Sequence, residues 1–363
     1  MEPLKEMFNL EFYQHYATVF SDADRNFNAP AFLKDVTANL HELELNGRLR
    51  NTAVVLQKHL PKGFEAAVDV LYKAAPALKR GYTALVLPDF VGLYGKEHFQ
   101  RAMEALRDFT SLGSSEFAIR EFLRMDLDKT LKVMQYWAED KDEHVRRLAS
   151  EGSRPRLPWS FKLEQLIKNP ALTTGILERL KSDESAYVRK SVANHLNDIS
   201  KDNTGYMLQL VKSWDSSNPH TSWIIKHASR TLIKKGNQES LSLFAFEKAV
   251  KLQIDNFILS SNLLHLGQTL QFGFELKSLK DQPQKLVVDY AVHYIKASGE
   301  QSKKVFKLKE LTLRPHQVLQ ITKKQLFKDL TTRKHYSGTH ILEIIVNGKV
   351  FGTREFDLFC QCR

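Results

Sequence analysis

Four dipeptides, each a β-branched residue followed by a base, recur through the middle of the chain: Ile119-Arg120, Val145-Arg146, Val188-Arg189 and Ile225-Lys226. Their separations are 26, 43 and 37 residues. The latter two approach the ~40–47-residue period of paired-helix repeats of HEAT or armadillo type. One such unit cannot bury its apolar face alone, so the chain is constrained to stack neighbours into a solenoid. In that stack the apolar residue is expected to pack inward while the base points along the concave edge, giving a row of cations suited to a phosphate backbone.

The rest of the first two-thirds reads as helix. Apolar residues recur at three- and four-residue spacing in Leu33, Val36 and Leu40, in Val54-Val55-Leu56, and in Ala66, Val70 and Leu71. Pro61-Lys62-Gly63, Pro76, Pro88 and Gly95 are expected between such segments. Ser182-Asp183-Glu184-Ser185 reads as a helix start, its acids near the positive end of the dipole. From Ile258 the texture changes to alternation and strand formers, as in Gln271–Leu276, Leu286–Tyr294, Lys303–Leu308 and Val318–Thr322. His340–Val346 then runs through Asn347-Gly348 into Lys349-Val350-Phe351, the signal of a two-residue hairpin. The expected architecture is mainly α: a solenoid of HEAT-like repeats over 1–257, followed by a small all-β immunoglobulin-like sandwich over 258–363. A Cys…Trp…Cys pattern is missing from the latter.

Charge placement points to a polyanion. The formal net charge is +11, and 144–235 holds 16 Lys/Arg against 8 Asp/Glu while 258–363 holds 17 against 9. Two basic blocks beside an acidic remainder imply an anion-binding surface, with duplex nucleic acid the expected partner. An amphipathic membrane anchor is lacking and no stretch has the length of a membrane span, so no membrane and no obligate protein partner are expected. The start, Met1 to Glu6, lacks a secretory pattern, and the two cysteines, Cys360 and Cys362, fit a reducing compartment. A bacterial cytoplasm is the expected location, with activity at the nucleoid. A Cys-x-Cys pair without neighbouring histidines is not expected to bind metal.

Acids recur beside the cations: Glu116 before Phe117-Ala118-Ile119-Arg120, Glu151 before Gly152 and the Arg154-Pro155-Arg156 loop, and Asp198 within Asn194–Ile199. Trp159 follows Pro158. Singly, each has a structural explanation as a cap, an ion-pair partner or a packing residue. Together they demand another, because an acid on a phosphate-facing surface repels the ligand. A developing positive charge in the substrate supplies it. A base alkylated on a ring nitrogen is cationic and leaves without a general acid, and carboxylates can stabilise the resulting oxocarbenium-like sugar and orient a water. An indole face can stack on the same cationic region. No cofactor is expected, since Walker, dinucleotide-loop, zincin and zinc-cluster motifs are all missing. A non-catalytic nucleic-acid-binding scaffold and a lysine-dependent AP lyase are the alternatives.

The segments Ser115–Arg120, His144–Trp159 and Tyr187–Asp202, in this order and with the repeat period, resemble the AlkC branch of the HEAT-like-repeat alkylpurine DNA glycosylases, which is related to AlkD. The resemblance implies removal of cationic alkylated bases, notably 3-methyladenine and 3-methylcytosine, from duplex DNA during base excision repair. It implies that the lesion is engaged through the sugar-phosphate backbone rather than flipped into a pocket. It also implies that Glu116, Glu151 and Asp198 are the acids near the deoxyribose and that Trp159 contacts the damaged nucleotide. From charge, Arg120, Arg154, Arg156, Arg189, Lys190 and Lys226 are expected to clamp DNA. Some members of the branch carry an immunoglobulin-like domain after the repeats, which the strand-rich tail fits. Its basic balance is expected to give a second contact closing around the duplex, through loops such as Lys303-Lys304 and Arg333-Lys334-His335.

Overall fold

A computed structural model describes residues 3–244, 246, 249–330 and 333–360. It divides into two compact units, Met1–Ala228 and Ser229–Arg363.

The first unit is a stack of helices. It opens with α1 (Leu10–Ala23), α2 (Ala29–Thr37), α3 (Leu45–His59), α4 (Phe64–Ala74), α5 (Val86–Tyr94) and α6 (Phe99–Phe109). The repeats bearing the sequence signature follow: α7 (Ile119–Met125), α8 (Leu127–Trp137), α9 (Glu143–Gly152), α10 (Glu164–Lys168), α11 (Thr174–Leu180), α12 (Ala186–Asp202), α13 (Thr204–Lys212) and α14 (Pro219–Ala228). The base of each signature lies on α7, α9, α12 or α14, and α12 packs between α9 and α14. That central place explains its composition. Over Ser191–Ser200 nearly every side chain is buried, including the polar Ser191, His195, Asn197, Asp198 and Ser200.

Local chemistry sets the helix ends. Asp142 caps α9 by accepting from the His144 N–H, and Ser185 caps α12 by accepting from Tyr187 and Val188. The expected start at Ser182–Ser185 is therefore observed. Pro88 differs: it is the third residue of α5 rather than a separator. A first-turn N–H has no intrahelical acceptor, so proline costs nothing there.

The repeat bases do not form an exposed row. Arg146 places its guanidinium on the carbonyls of Asp140 (2.9 Å) and Lys141 (3.0 Å), six and five residues back. Arg189 does the same to Asp183 (2.9 Å) and Glu184 (2.7 Å). Each ties the turn preceding its own helix, and Arg146 adds a two-pronged pair to Asp183 in the next repeat. The signature thus encodes how one repeat closes onto the next.

In the second unit, α15 (Arg230–Lys234) and α16 (Gln238–Leu243) precede eight strands. These are β1 (Leu252–Leu259), β2 (Leu263–His265), β3 (Thr269–Ser278), β4 (Gln284–Ile295), β5 (Gln301–Leu313), β6 (Val318–Leu326), β7 (Gly338–Val346) and β8 (Lys349–Phe359). One sheet has the order β1-β3-β6 and the other β2-β8-β7-β4-β5. Phe272, Phe274, Val288, Tyr290, Val292, Ile344 and Phe356 belong to the core. The hairpin at Asn347-Gly348 has both residues at positive φ, 46° and 79°, as a type I′ turn requires. The boundary expected at 257/258 needs correction. Strand structure begins at Leu252, and the helices from Ser229 onward belong to the second unit because Ile233, Leu241 and Phe246 pack on Val287 of β4.

Of the two basic loops expected, the second keeps Lys334 exposed and only the first is corrected. Lys303 and Lys304 are inside β5, paired opposite His293 and Val292, and Lys303 bridges to Glu343 at 2.6 Å. His335 is buried against Tyr294 and Phe327. Cys360 is partly buried, and Cys362 lies outside the described residues. Among the described residues no helix is long and apolar enough to cross a membrane.

Candidate active site

The site is assembled where the end of α9 meets α7 and α12. A Cβ at Gly152 would lie 2.5 Å from Ile119 Cγ2, so only glycine lets the last turn of α9 settle against the start of α7. This close approach fixes Glu151, one residue earlier.

The loop that follows is held by Arg120. This side chain is fully buried and donates to the carbonyls of Gly152 (2.9 Å), Arg154 (2.6 Å) and Phe161. Burial, with the charge of Arg154 second, lowers its pKa to about 10. The expectation that Arg120 clamps DNA is therefore corrected: its Nη groups are turned to three backbone acceptors and no surface is left for phosphate. Within the restrained loop, Trp159 takes φ = 64° and stays 76% exposed. A bulky residue in the left-handed region costs about 1–3 kcal/mol, and exposed indole surface gains nothing from packing to offset it.

Acids and guanidinium groups alternate across the site. Ser114 Oγ donates to Glu116 Oε2 (2.9 Å), which is also paired with Arg147. Arg147 reaches Glu151 at 3.7 Å and lies over the Tyr187 ring at 4.9 Å. Arg154 bonds Glu151 through one nitrogen and Asp198 through Nε (2.8 Å), and Lys201 closes the chain on Asp198 Oδ1 (2.8 Å). The three predicted acids are thus brought together, although 82 residues of sequence separate the first from the last. Glu151 and Asp198 are 6% and 2% exposed. Burial opposes the charge on Arg154, but Glu151 and Asp198 outweigh it, so its pKa is raised and the group stays cationic. Taking this many charges from water costs several kcal/mol per ion before pairing, so the array is weak as a source of stability.

A cavity of about 560 Å³ opens onto the array, lined by Glu116, Arg147, Glu151, Arg154, Trp159 and Tyr187 among others. Asp198 is not on its wall; it lies behind Arg154. A neighbouring cavity of about 440 Å³ shares Phe117 and Trp159.

The remaining cations divide. Arg154 is buried between two acids, so its expected role as a surface clamp is corrected. Arg189 is occupied by turn carbonyls and lies 5.9 Å over Trp223, which stacks on His227. Arg156 is paired through two nitrogens with Asp202 (both 2.6 Å). Lys190 and Lys226 present exposed side chains. Sequence reasoning missed Arg147, Tyr187 and Lys201. The four-residue spacing from Arg147 to Glu151 on one helix face was the available signal for the first. Among the described residues no group of three His, Cys, Asp or Glu is placed to hold a metal ion.

Residues 98–232 match the family described as DNA alkylation repair enzyme, and 253–360 match the C-terminal Ig-like domain of uncharacterised protein YhaZ. The chain is 42% identical over 359 residues to the uncharacterized protein YhaZ of Bacillus subtilis (strain 168), covering 99% of this chain and all of that one. It is 45% identical to the Pseudomonas fluorescens alkylpurine DNA glycosylase AlkC, solved bound to DNA containing an abasic site analog. That structure superposes with a TM-score of 0.95 over 99% of this chain and 100% of the other. With a repeat solenoid, an Ig-like sandwich and the acid array in place, the chain belongs to the AlkC-type family of alkylpurine DNA glycosylases.

Proposed function

We propose that this protein is a monofunctional DNA glycosylase that hydrolyses the N-glycosidic bond of cationic alkylated bases, 3-methyladenine and 3-methylcytosine, in duplex DNA. The observation that carries the reading is the carboxylate pair Glu116 and Glu151 on the wall of a cavity beside the exposed, strained Trp159. In the reaction the C1′–N bond breaks with its electron pair going to the base, which leaves neutral. The sugar takes the positive charge, and a water oxygen adds to C1′ and loses a proton. A preorganised carboxylate as buried as Glu151, 6% exposed, stabilises the developing cation more than it would in water. The Trp159 face stacks on the cationic nucleotide. Arg147 and Arg154 set guanidinium groups between the acids and hold the carboxylates in place. Engagement is proposed to run through the sugar-phosphate backbone without base flipping. Lys190 and Lys226, exposed on α12 and α14, are the surface cations proposed to contact phosphate.

The test is chromatography of bases released from methylated duplex DNA. The expected products are 3-methyladenine and 3-methylcytosine. Binding without release of any base would instead favour a non-catalytic scaffold.

A further inference from the structure

His195 sits on α12 one turn before Asp198, on the same helix face, and is completely buried. Its Nδ1 lies 3.0 Å from the carbonyl oxygen of Ser150. A carbonyl only accepts, so Nδ1 carries the proton and donates, which leaves Nε2 as a bare acceptor. Nε2 has no partner among the described residues. Ser150 is in the last turn of α9 and directly precedes Glu151. One imidazole thus ties the backbone that carries Glu151 to the helix that carries Asp198.

Packing does not account for this choice of residue. An apolar side chain would fill the same space without burying an unpaired ring nitrogen, whose desolvation costs on the order of 1–3 kcal/mol. Nor does charge. The ionisable groups acting on the ring are Asp198 on its own helix and Arg154 and Glu151 from the α9 end, and burial outweighs them, lowering the pKa to about 4. The ring is neutral at working pH and does not compete with Arg154 for either acid. What remains is the directed N–H. We infer that His195 is a positioning residue that sets the separation of Glu151 and Asp198, and so the seat of Arg154 between them, through its bond to the Ser150 carbonyl. The inference rests on the glycosylase reading above.

The test compares His195→Phe, which fills the volume without a donor, and His195→Met, a smaller and more adaptable filler, with His195→Asn, whose amide N–H replaces that of Nδ1. Each is made in the full-length chain. Single-turnover base release from methylated duplex, affinity for duplex carrying an abasic-site analogue, and the unfolding midpoint are read together. Whichever of the Phe and Met variants folds is expected to lose on the order of 10²-fold in rate with affinity within about threefold of wild type, as misplacement of catalytic groups produces. His195→Asn is expected to recover most of that loss. Donor-free variants at the wild-type rate, or Asn and Phe variants equally impaired, would overturn the inference. So would loss of folding in both donor-free variants while the Asn variant is folded but inactive. A wild type that releases no base would instead overturn the glycosylase reading, and the inference with it.

Discussion

At the scale of single residues, the site depends on groups whose roles follow from distance. Gly152 is the clearest. Replacing a helical glycine by alanine gains about 1 kcal/mol of helix propensity. Here the new methyl would meet Ile119 Cγ2 at 2.5 Å, inside a packed core. Overpacking of that kind costs about 1–3 kcal/mol, so the clash wins. Gly152→Ala is expected to lower the unfolding midpoint in denaturant; an unchanged or raised midpoint would show that Ile119 gives way freely. The acids were legible in sequence because carboxylates on a cationic surface need a reason. Their partners were not. Arg120 and Arg154 look like surface cations in a basic stretch, and only the fold shows one satisfied by three carbonyls and the other buried between two carboxylates.

At the scale of elements, the repeat signature was readable and its meaning was not. The period located α9, α12 and α14, but the bases it marks at Arg146 and Arg189 are turn ties. Charged hydrogen bonds to carbonyls contribute about 1.5–3 kcal/mol. Arg189→Ala is therefore expected to reduce stability by about that amount while leaving the salt dependence of DNA binding unchanged. A stable variant whose salt slope falls by about one would return Arg189 to the phosphate contacts. The strands were legible from alternation and from Asn347-Gly348, and Leu286–Tyr294 was read as a strand although its burial does not alternate. β4 is buried on both faces, because α15 and α16 cover the side opposite the sandwich core. On that covered face lies Asp289, 1% exposed, neither oxygen partnered among the described residues. Burial, only partly offset by Lys234 and Lys307, raises its pKa from 3.8 to about 6. A carboxyl with a raised folded-state pKa binds its proton more readily folded than unfolded, so ionisation destabilises the fold. The penalty is fully present above about pH 6 and fades as pH falls towards 3.8. Asp289→Asn is expected to stabilise the second unit by about 1–3 kcal/mol at pH 7.5 and by clearly less at pH 5. Equal effects at both pH values would contradict the raised pKa.

At the scale of the whole molecule, two architectures are joined in one chain: a solenoid bearing a buried array of alternating charge, and a sandwich whose β4 is covered by two short helices. The break between them was misplaced in sequence because the change of texture at Ile258 falls near the end of β1, and because the units are defined by what packs together. The central claim is that the array performs chemistry rather than holding the helices in place. The measurement that tests it most directly is single-turnover base release by wild type and Glu151→Gln side by side, with affinity for the methylated duplex measured on the same preparations. Loss of one preorganised charge costs on the order of 10²–10³ in rate. The account predicts that loss with DNA affinity intact or higher, because removing a carboxylate beside phosphates relieves repulsion. Release by the variant at the wild-type rate would contradict it.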